Sequence, residues 1–166
     1  MNVIGLYGAI GWNVVLSDNP KLLKQSEESW THGASVTLIK DGEHCVSISE
    51  ERLSKIKYDG NFPRKSIEYC LSAANLDKND IDLVIVMGVF PGFSGQSFIE
   101  DTYERCKTVK EIINHNKSEC KIEIDGGVTI HNAKKLIDVG ADVLVSGSHV
   151  FKAQNPKEVI EKLKVI

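Results

Sequence analysis

The sequence predicts an α/β fold, and three observations carry that reading. Three apolar runs in the second half, 81–90, 121–124 and 143–145, are each followed by a helical pattern. Each run gives way to a polar or glycine-rich segment before its helix starts. Successive β-then-α units of this kind make parallel strands joined by right-handed crossovers. The first half reads differently. Two β-prone runs, 34–39 and 45–48, flank Lys40-Asp41-Gly42-Glu43, and Asp-Gly at that place is a strong hairpin signal because both residues tolerate positive φ.

Taken in order, 2–6 is a short apolar run that predicts a first strand. Residues 8–30 are polar and irregular, with a turn at Asp18-Asn19-Pro20, and Trp12 and Trp30 are expected to pack this segment down. Pro63 opens a helix whose apolar face is Ile67, Cys70, Leu71 and Ala74. The continuous run 81–90 predicts a strand covered on both faces. A loop, Pro91-Gly92-Phe93-Ser94-Gly95-Gln96, leads to a helix over 99–114 with Cys106, Val109, Ile112 and Ile113 inward. The strand at 121–124 ends in Asp125-Gly126-Gly127. A helix is expected from Thr129 as N-cap to Gly140 as C-cap. The strand 143–145 ends in Ser146-Gly147-Ser148, and a last helix has Asn155 as N-cap, Pro156 at its first position and Glu158 at N3. No Pro-, Gly- or Ser-rich linker divides the chain, which reads as 1–80 followed by 81–166.

Bulk properties narrow the function. The chain is 42% hydrophobic and 26% charged, with a formal net charge of -3, ordinary for a globular protein and without a basic stripe for nucleic acid. No apolar run approaches the roughly 18 residues of a membrane span. Met1-Asn2-Val3-Ile4-Gly5 lacks the basic and apolar regions of a signal peptide, so a cytoplasmic protein is expected. None of the four cysteines forms a C-x-x-C pair, which argues for buried thiols in a reducing compartment over zinc or redox chemistry.

In parallel α/β folds ligands sit beyond the C-terminal ends of the strands. Gly126-Gly127 and Gly147-Ser148 both fall there, where glycines let a backbone approach closely and successive N–H groups make an anion site. Tight turns alone would also call for these glycines. His44 is read as a surface residue of the hairpin; His115, His131 and His149 are spread through the second half, with His149 beside Gly147-Ser148. Glu50-Glu51 are adjacent on an expected strand and would face opposite ways, which argues against a shared carboxylate site.

The segments 86–98, Glu123-Ile124-Asp125-Gly126-Gly127-Val128 and 140–148 with Val150-Phe151 resemble, in order and spacing, the last three strands and loops of ribulose-phosphate 3-epimerases. The resemblance covers about 82–166 and implies the last three βα units of a (β/α) barrel, acting as an isomerase on carbohydrate phosphates. It implies that Gly92, Phe93, Ser94 and Gly95 close over the substrate and that Gly126, Gly127, Gly147 and Ser148 hold its phosphate. Asp125 matches the aspartate that ligates a divalent metal (zinc, iron or manganese) and moves a proton. The family's first-half serine, histidines and partner aspartate have no counterpart in residues 1–80, so impaired catalysis is expected.

Residues 1–80 instead resemble the N-terminus of carbamoyltransferases with an actin-like ATPase fold, through 2–6, 31–38, 40–42, 49–53, 58–63 and 66–71. His32 matches an active-site histidine of that family, although Gly33 stands where an aspartate usually follows. Together the resemblances imply a βββα piece joined to a half-barrel at a shared strand: a fusion binding a sugar phosphate. A non-catalytic remnant and a carbamoyltransferase fragment are the alternatives. The unpaired edge of a half-barrel also leads us to expect a homo-oligomer.

Overall fold

The computed structural model describes residues 1–7, 33–90 and 95–166. The turn expected at Asp18-Asn19-Pro20, Trp12, Trp30 and His32, and Gly92, Phe93 and Ser94 of the loop, lie outside the described residues. The chain divides into two compact units, Met1–Asp82 and Leu83–Ile166.

In the first unit, β1 (Asn2–Tyr7), β2 (Ser35–Lys40) and β3 (Glu43–Ser49) form an antiparallel meander in the order β3-β2-β1. The β2–β3 turn has Asp41 at φ 53 and Gly42 at φ 86. Two consecutive left-handed residues are what a two-residue hairpin needs to match the twist of its strands. A bulge between Leu38 and Ile39 shifts the β2–β3 register. Val36 and Leu38 alternate into the core, as period two requires.

Glu50 and Glu51 begin a short helix, α1 (Glu50–Ser54), where the sequence suggested a strand. The chain turns at Ser49 because the Glu50 N–H bonds to the carbonyl of Ala34. Next comes α2 (Arg64–Ala74), entered from Pro63, whose missing N–H costs nothing at a helix start. It stops at Asn75, left-handed at φ 50, with Leu76 N–H returned to the Leu71 carbonyl. Cys70 and Ser66 are fully buried in this helix, which packs on β2 and β3.

The second unit is a parallel sheet, β4 (Leu83–Met87), β5 (Lys121–Asp125) and β6 (Val143–Val145), in that order. β4 is shorter than the apolar run 81–90. A 3-10 turn at Lys78–Asp80, capped by Asp77, delays its start, and the Gly88 carbonyl turns to the N–H of Ile99 at its end. Only Val84 and Val86 are fully covered in β4, so coverage alternates rather than extending to both faces.

Helix α3 (Thr102–His115) buries Thr102, Tyr103, Cys106, Val109 and Ile113. Ile112, expected inward, is 40% exposed: a 3.6-residue period carries it well off the stripe through Cys106, Val109 and Ile113. Helix α4 (Ala133–Asp138) begins later than Thr129, after a separate turn over 129–132. Gly140 follows it at φ 115, and a Cβ there would press on Lys110 Cγ at 2.6 Å. The chain ends with α5 (Ser148–Phe151) and α6 (Pro156–Lys164), where Asn155 accepts the N–H of Glu158 as expected. No helix among the described residues is long and apolar enough to cross a membrane.

Candidate functional site

Parallel register brings the three strand ends of the second unit to one level. Met87 pairs with Asp125, and Asp125 with Val145. The segments that follow therefore leave the sheet side by side. Gly88 donates its N–H to the Asp125 carbonyl at 2.7 Å, and a Cβ on Gly88 would overlap the carbonyl oxygen of Gly126. Glycine is required here by the close approach of two backbones.

Gly126 and Gly127 have φ of 102 and 69, a left-handed pair. A Cβ on Gly127 would stand 3.0 Å from Phe98 Cα. Phe98 in turn packs its ring 5.2 Å from that of Tyr103, and Lys135 places its ammonium 3.6 Å from the Tyr103 ring centre. Burial, and then the Glu100 carboxylate, push the Tyr103 hydroxyl above its ordinary pKa. This stack gives the Gly127 backbone a firm wall.

The turn after β5 is bonded to the turn after β6. Ser146 Oγ donates to the Val128 carbonyl at 2.8 Å, and the Ile130 N–H approaches His149 Nε2 at 3.4 Å. Asn132 closes the first turn internally. Its Oδ1 accepts the Thr129 N–H at 2.7 Å, and its Nδ2 donates to the Gly127 carbonyl at 3.0 Å. Gly147 opens α5, with Ser148 as the first helical residue, and a Cβ on Gly147 would meet nothing within 4 Å. Gly95, at φ 81, lies against Lys152 Nζ, 2.9 Å from where its Cβ would be.

Among the described residues, the N–H groups of Gly126, Gly127, Gly147 and Ser148 have no protein acceptor. They come from neighbouring strand ends joined by the Ser146 bond. Asp125 sits half-buried at the end of β5. Among the described residues no three His, Cys, Asp or Glu side chains converge as metal ligands. A divalent ion held by Asp125 alone would leave most of its coordination to water, so these residues do not by themselves fit a metal.

Asn132 was not singled out in the sequence, and Ser146 and Gly88 entered only as members of longer segments, without a role. Asn132 carried a usable signal, since an Asn shortly after a glycine pair readily bonds nearby backbone groups. Ser146 and Gly88 act on residues distant in sequence and carried none.

Comparison with known proteins identifies a family. A model of the Ribulose-phosphate 3 epimerase family matches residues 31–151, from ahead of the β2–β3 hairpin through α5. The ribulose-phosphate 3-epimerase of Helicobacter pylori is 41% identical over 100 residues, 60% of this chain and 43% of that protein. The chloroplastic ribulose-5-phosphate-3-epimerase of Arabidopsis thaliana is 41% identical over 102 residues, 61% of this chain and 34% of its own length. That of Escherichia coli K12 is 34% identical over 94 residues, 57% of this chain and 42% of its own. The chain thus spans less than half the length of these curated relatives. With a family match across most of its residues and three aligned strand ends carrying the glycine turns, the chain belongs to the ribulose-phosphate 3-epimerase family.

Proposed function

We propose that the C-terminal unit binds a phosphorylated ketose at the ends of β4, β5 and β6. The phosphate sits on the N–H groups of Gly126, Gly127, Gly147 and Ser148, where backbone donors carry an anion without a lysine. The observation that supports this most is the pair of turns tied together by Ser146, with all four N–H groups lacking a protein acceptor among the described residues. Gly95, which follows the segment expected to close over the substrate, lies against Lys152, the residue after α5. The printed names of the relatives point to ribulose 5-phosphate as the ligand to try first.

Asp125 is the acid/base of this reading. Inversion beside a ketone needs a base on one face and an acid on the other. Family members generally use a divalent metal, which supplies stabilisation of the enediolate when bound. No described cluster completes an ion's shell around Asp125. We therefore assign the unit binding with impaired turnover: losing the opposing acid/base alone costs about 10²–10⁴-fold. The test is calorimetric titration with ribulose 5-phosphate beside a coupled epimerase assay with added zinc, iron or manganese. Saturable binding with little turnover supports the reading. Robust turnover abolished by Asp125→Asn overturns the impairment, and no binding at millimolar ligand overturns the site.

The N-terminal unit is assigned to the actin-like ATPase type, joined to the half-barrel by fusion. Its antiparallel β3-β2-β1 meander, unlike a βα repeat, supports a source other than a barrel. A homo-oligomer is proposed through β6, whose Val143 and Val145 are 36% and 38% exposed. A monomer mass by light scattering across micromolar concentrations would exclude it.

A further inference from the structure

Asn132 uses both ends of its amide on the turn that carries the glycine pair. Oδ1 receives the Thr129 N–H and Nδ2 gives to the Gly127 carbonyl. The two partners leave one orientation for the side chain, because only its oxygen can face an N–H and only its NH2 can face a carbonyl. Both bonds stay within one short segment, yet they act on different peptide planes. In a trans peptide the C=O and the following N–H point in opposite directions. Holding the Gly127 carbonyl toward Asn132 therefore turns the Val128 N–H away from it. Ser146 fixes the next plane in the same manner: it holds the Val128 carbonyl, and the Thr129 N–H on the far side of that plane is the group Asn132 Oδ1 receives. Two side chains thus lock two successive peptide planes directly after Gly127.

Gly127 needs such a lock. It is left-handed at φ 69, where glycine keeps far more freedom in the unfolded chain than any other residue. Phe98 limits it from one side, and no side chain of its own can hold it.

We infer that Asn132 is a positioning residue for anion binding: by fixing the peptide plane that follows Gly127 it anchors the C-terminal side of the glycine pair, so that the Gly126–Gly127 turn has fewer arrangements in which to present its N–H groups to a ligand phosphate. This rests on the anion site proposed above and adds the group that sets its stiffness. Donors fixed in advance bind more tightly than donors that must be ordered by the ligand.

The probe is sulfate, whose charge is constant over the pH range used, titrated by calorimetry into the full chain. Asn132→Ala should weaken sulfate binding by on the order of tenfold and, having lost two hydrogen bonds of the folded chain, should also melt below wild type. Asn132→Asp makes the sharper test. Near pH 7 its carboxylate can still accept the Thr129 N–H but cannot donate to Gly127, and its charge opposes the anion. Binding should be weaker still. As pH falls to about 4.5, toward the ordinary aspartate range, the protonated carboxyl regains a donor and an acceptor, and the affinity of this variant relative to wild type at the same pH should recover. That ratio cancels the charged groups both chains carry beside these turns, His149 against Ile130, Asp125 before Gly126 and Lys152 against Gly95. Variants that bind sulfate as wild type does, or an Asn132→Asp titration with the wild-type pH course, would overturn the clasp. If wild type itself binds no sulfate, the anion site falls and the clasp with it, a result distinct from unaffected variants. Should Asn132→Ala not fold, the pH course of Asn132→Asp decides alone.

Discussion

The Glu50 carboxylate, 4% exposed, accepts the backbone N–H of Ser66 at 2.8 Å and that of Lys65 at 3.2 Å. These are first-turn donors of α2, which have no partner inside the helix. Pro63, at the cap position, offers no side-chain oxygen, so Glu50 does that work from α1. A carboxylate is also favoured there by the positive end of the helix dipole. Glu50→Ala would remove a charged acceptor and leave two amides to find water. We expect a loss of about 2–3 kcal/mol, as for hydrogen bonds to a charged group, with Glu50→Gln losing less. Urea unfolding followed by circular dichroism measures both, and a loss below about 0.5 kcal/mol for the alanine variant, the level of a neutral surface change, would contradict the capping role.

Gly88→Ala tests the close approach of β4 to the turn after β5. The new methyl would collide with the Gly126 carbonyl and sit 3.1 Å from the Phe98 ring. Backbone cannot give way as a flexible side chain can. Overpacking of this kind costs about 1–3 kcal/mol, and the displacement falls on the glycine pair proposed to hold phosphate. The variant should melt lower and bind phosphate less tightly. Unchanged phosphate affinity would mean that Gly126 is not part of the site.

What the sequence reveals here depends on how local the cause is. Asp41 and Gly42 specify their turn by their own chemistry, and the hairpin forms where they stand. Asn155 caps α6 through a residue three positions on, again a local cause. The three parallel strands follow from repeated apolar runs, and register then puts Asp125 beside Met87 and Val145. Glu50 could not be read in this way, because its partners lie 15 and 16 residues later and become neighbours only after folding. Thr129 had the residue type of an N-cap, but Asn132 closes a turn first and delays α4 to Ala133. Ile112 shows the limit of a hydrophobic count, since apolar character did not bring it inward. The family match from residue 31 also begins some way ahead of the half-barrel read from motifs.

The cysteines should separate by reactivity. Cys45 is exposed, whereas Cys70 and Cys106 have no exposed surface. Burial pushes both of those thiols up to about 11, with Asp142 adding to the rise at Cys106 and Lys110 opposing it. The thiolate is the reactive form, so at mildly alkaline pH a disulfide reagent should modify Cys45 quickly and the other two only on unfolding. The same shift carries a stability consequence. Between the ordinary thiol pKa and about 11 the folded chain holds protons that the unfolded chain releases. Stability is therefore full below that window and falls as pH rises through it. Urea midpoints measured from pH 8 upward should decline, and serine at both positions should flatten the decline.

Gly147→Val addresses the anion site from the β6 side. Gly147 is not left-handed, at φ -95, and a Cβ on it meets no atom within 4 Å. Its carbonyl already accepts the N–H groups of Val150 and Phe151, which hold α5 in place whatever the side chain. The substitution is thus not expected to disrupt packing among the described residues. The added isopropyl group enters the open space beside the Gly147 and Ser148 N–H groups, where the proposed phosphate would lie. Steric exclusion at that point should abolish binding even in a fully folded chain. Phosphate or ribulose 5-phosphate should raise the melting temperature of wild type, as a ligand that binds only the folded state does, by about 2.7 kcal/mol of added stability at one hundred times Kd. Gly147→Val should melt near wild type without ligand and show no upward shift with it. A shift retained in the variant would place the phosphate elsewhere and remove Gly147 and Ser148 from the site.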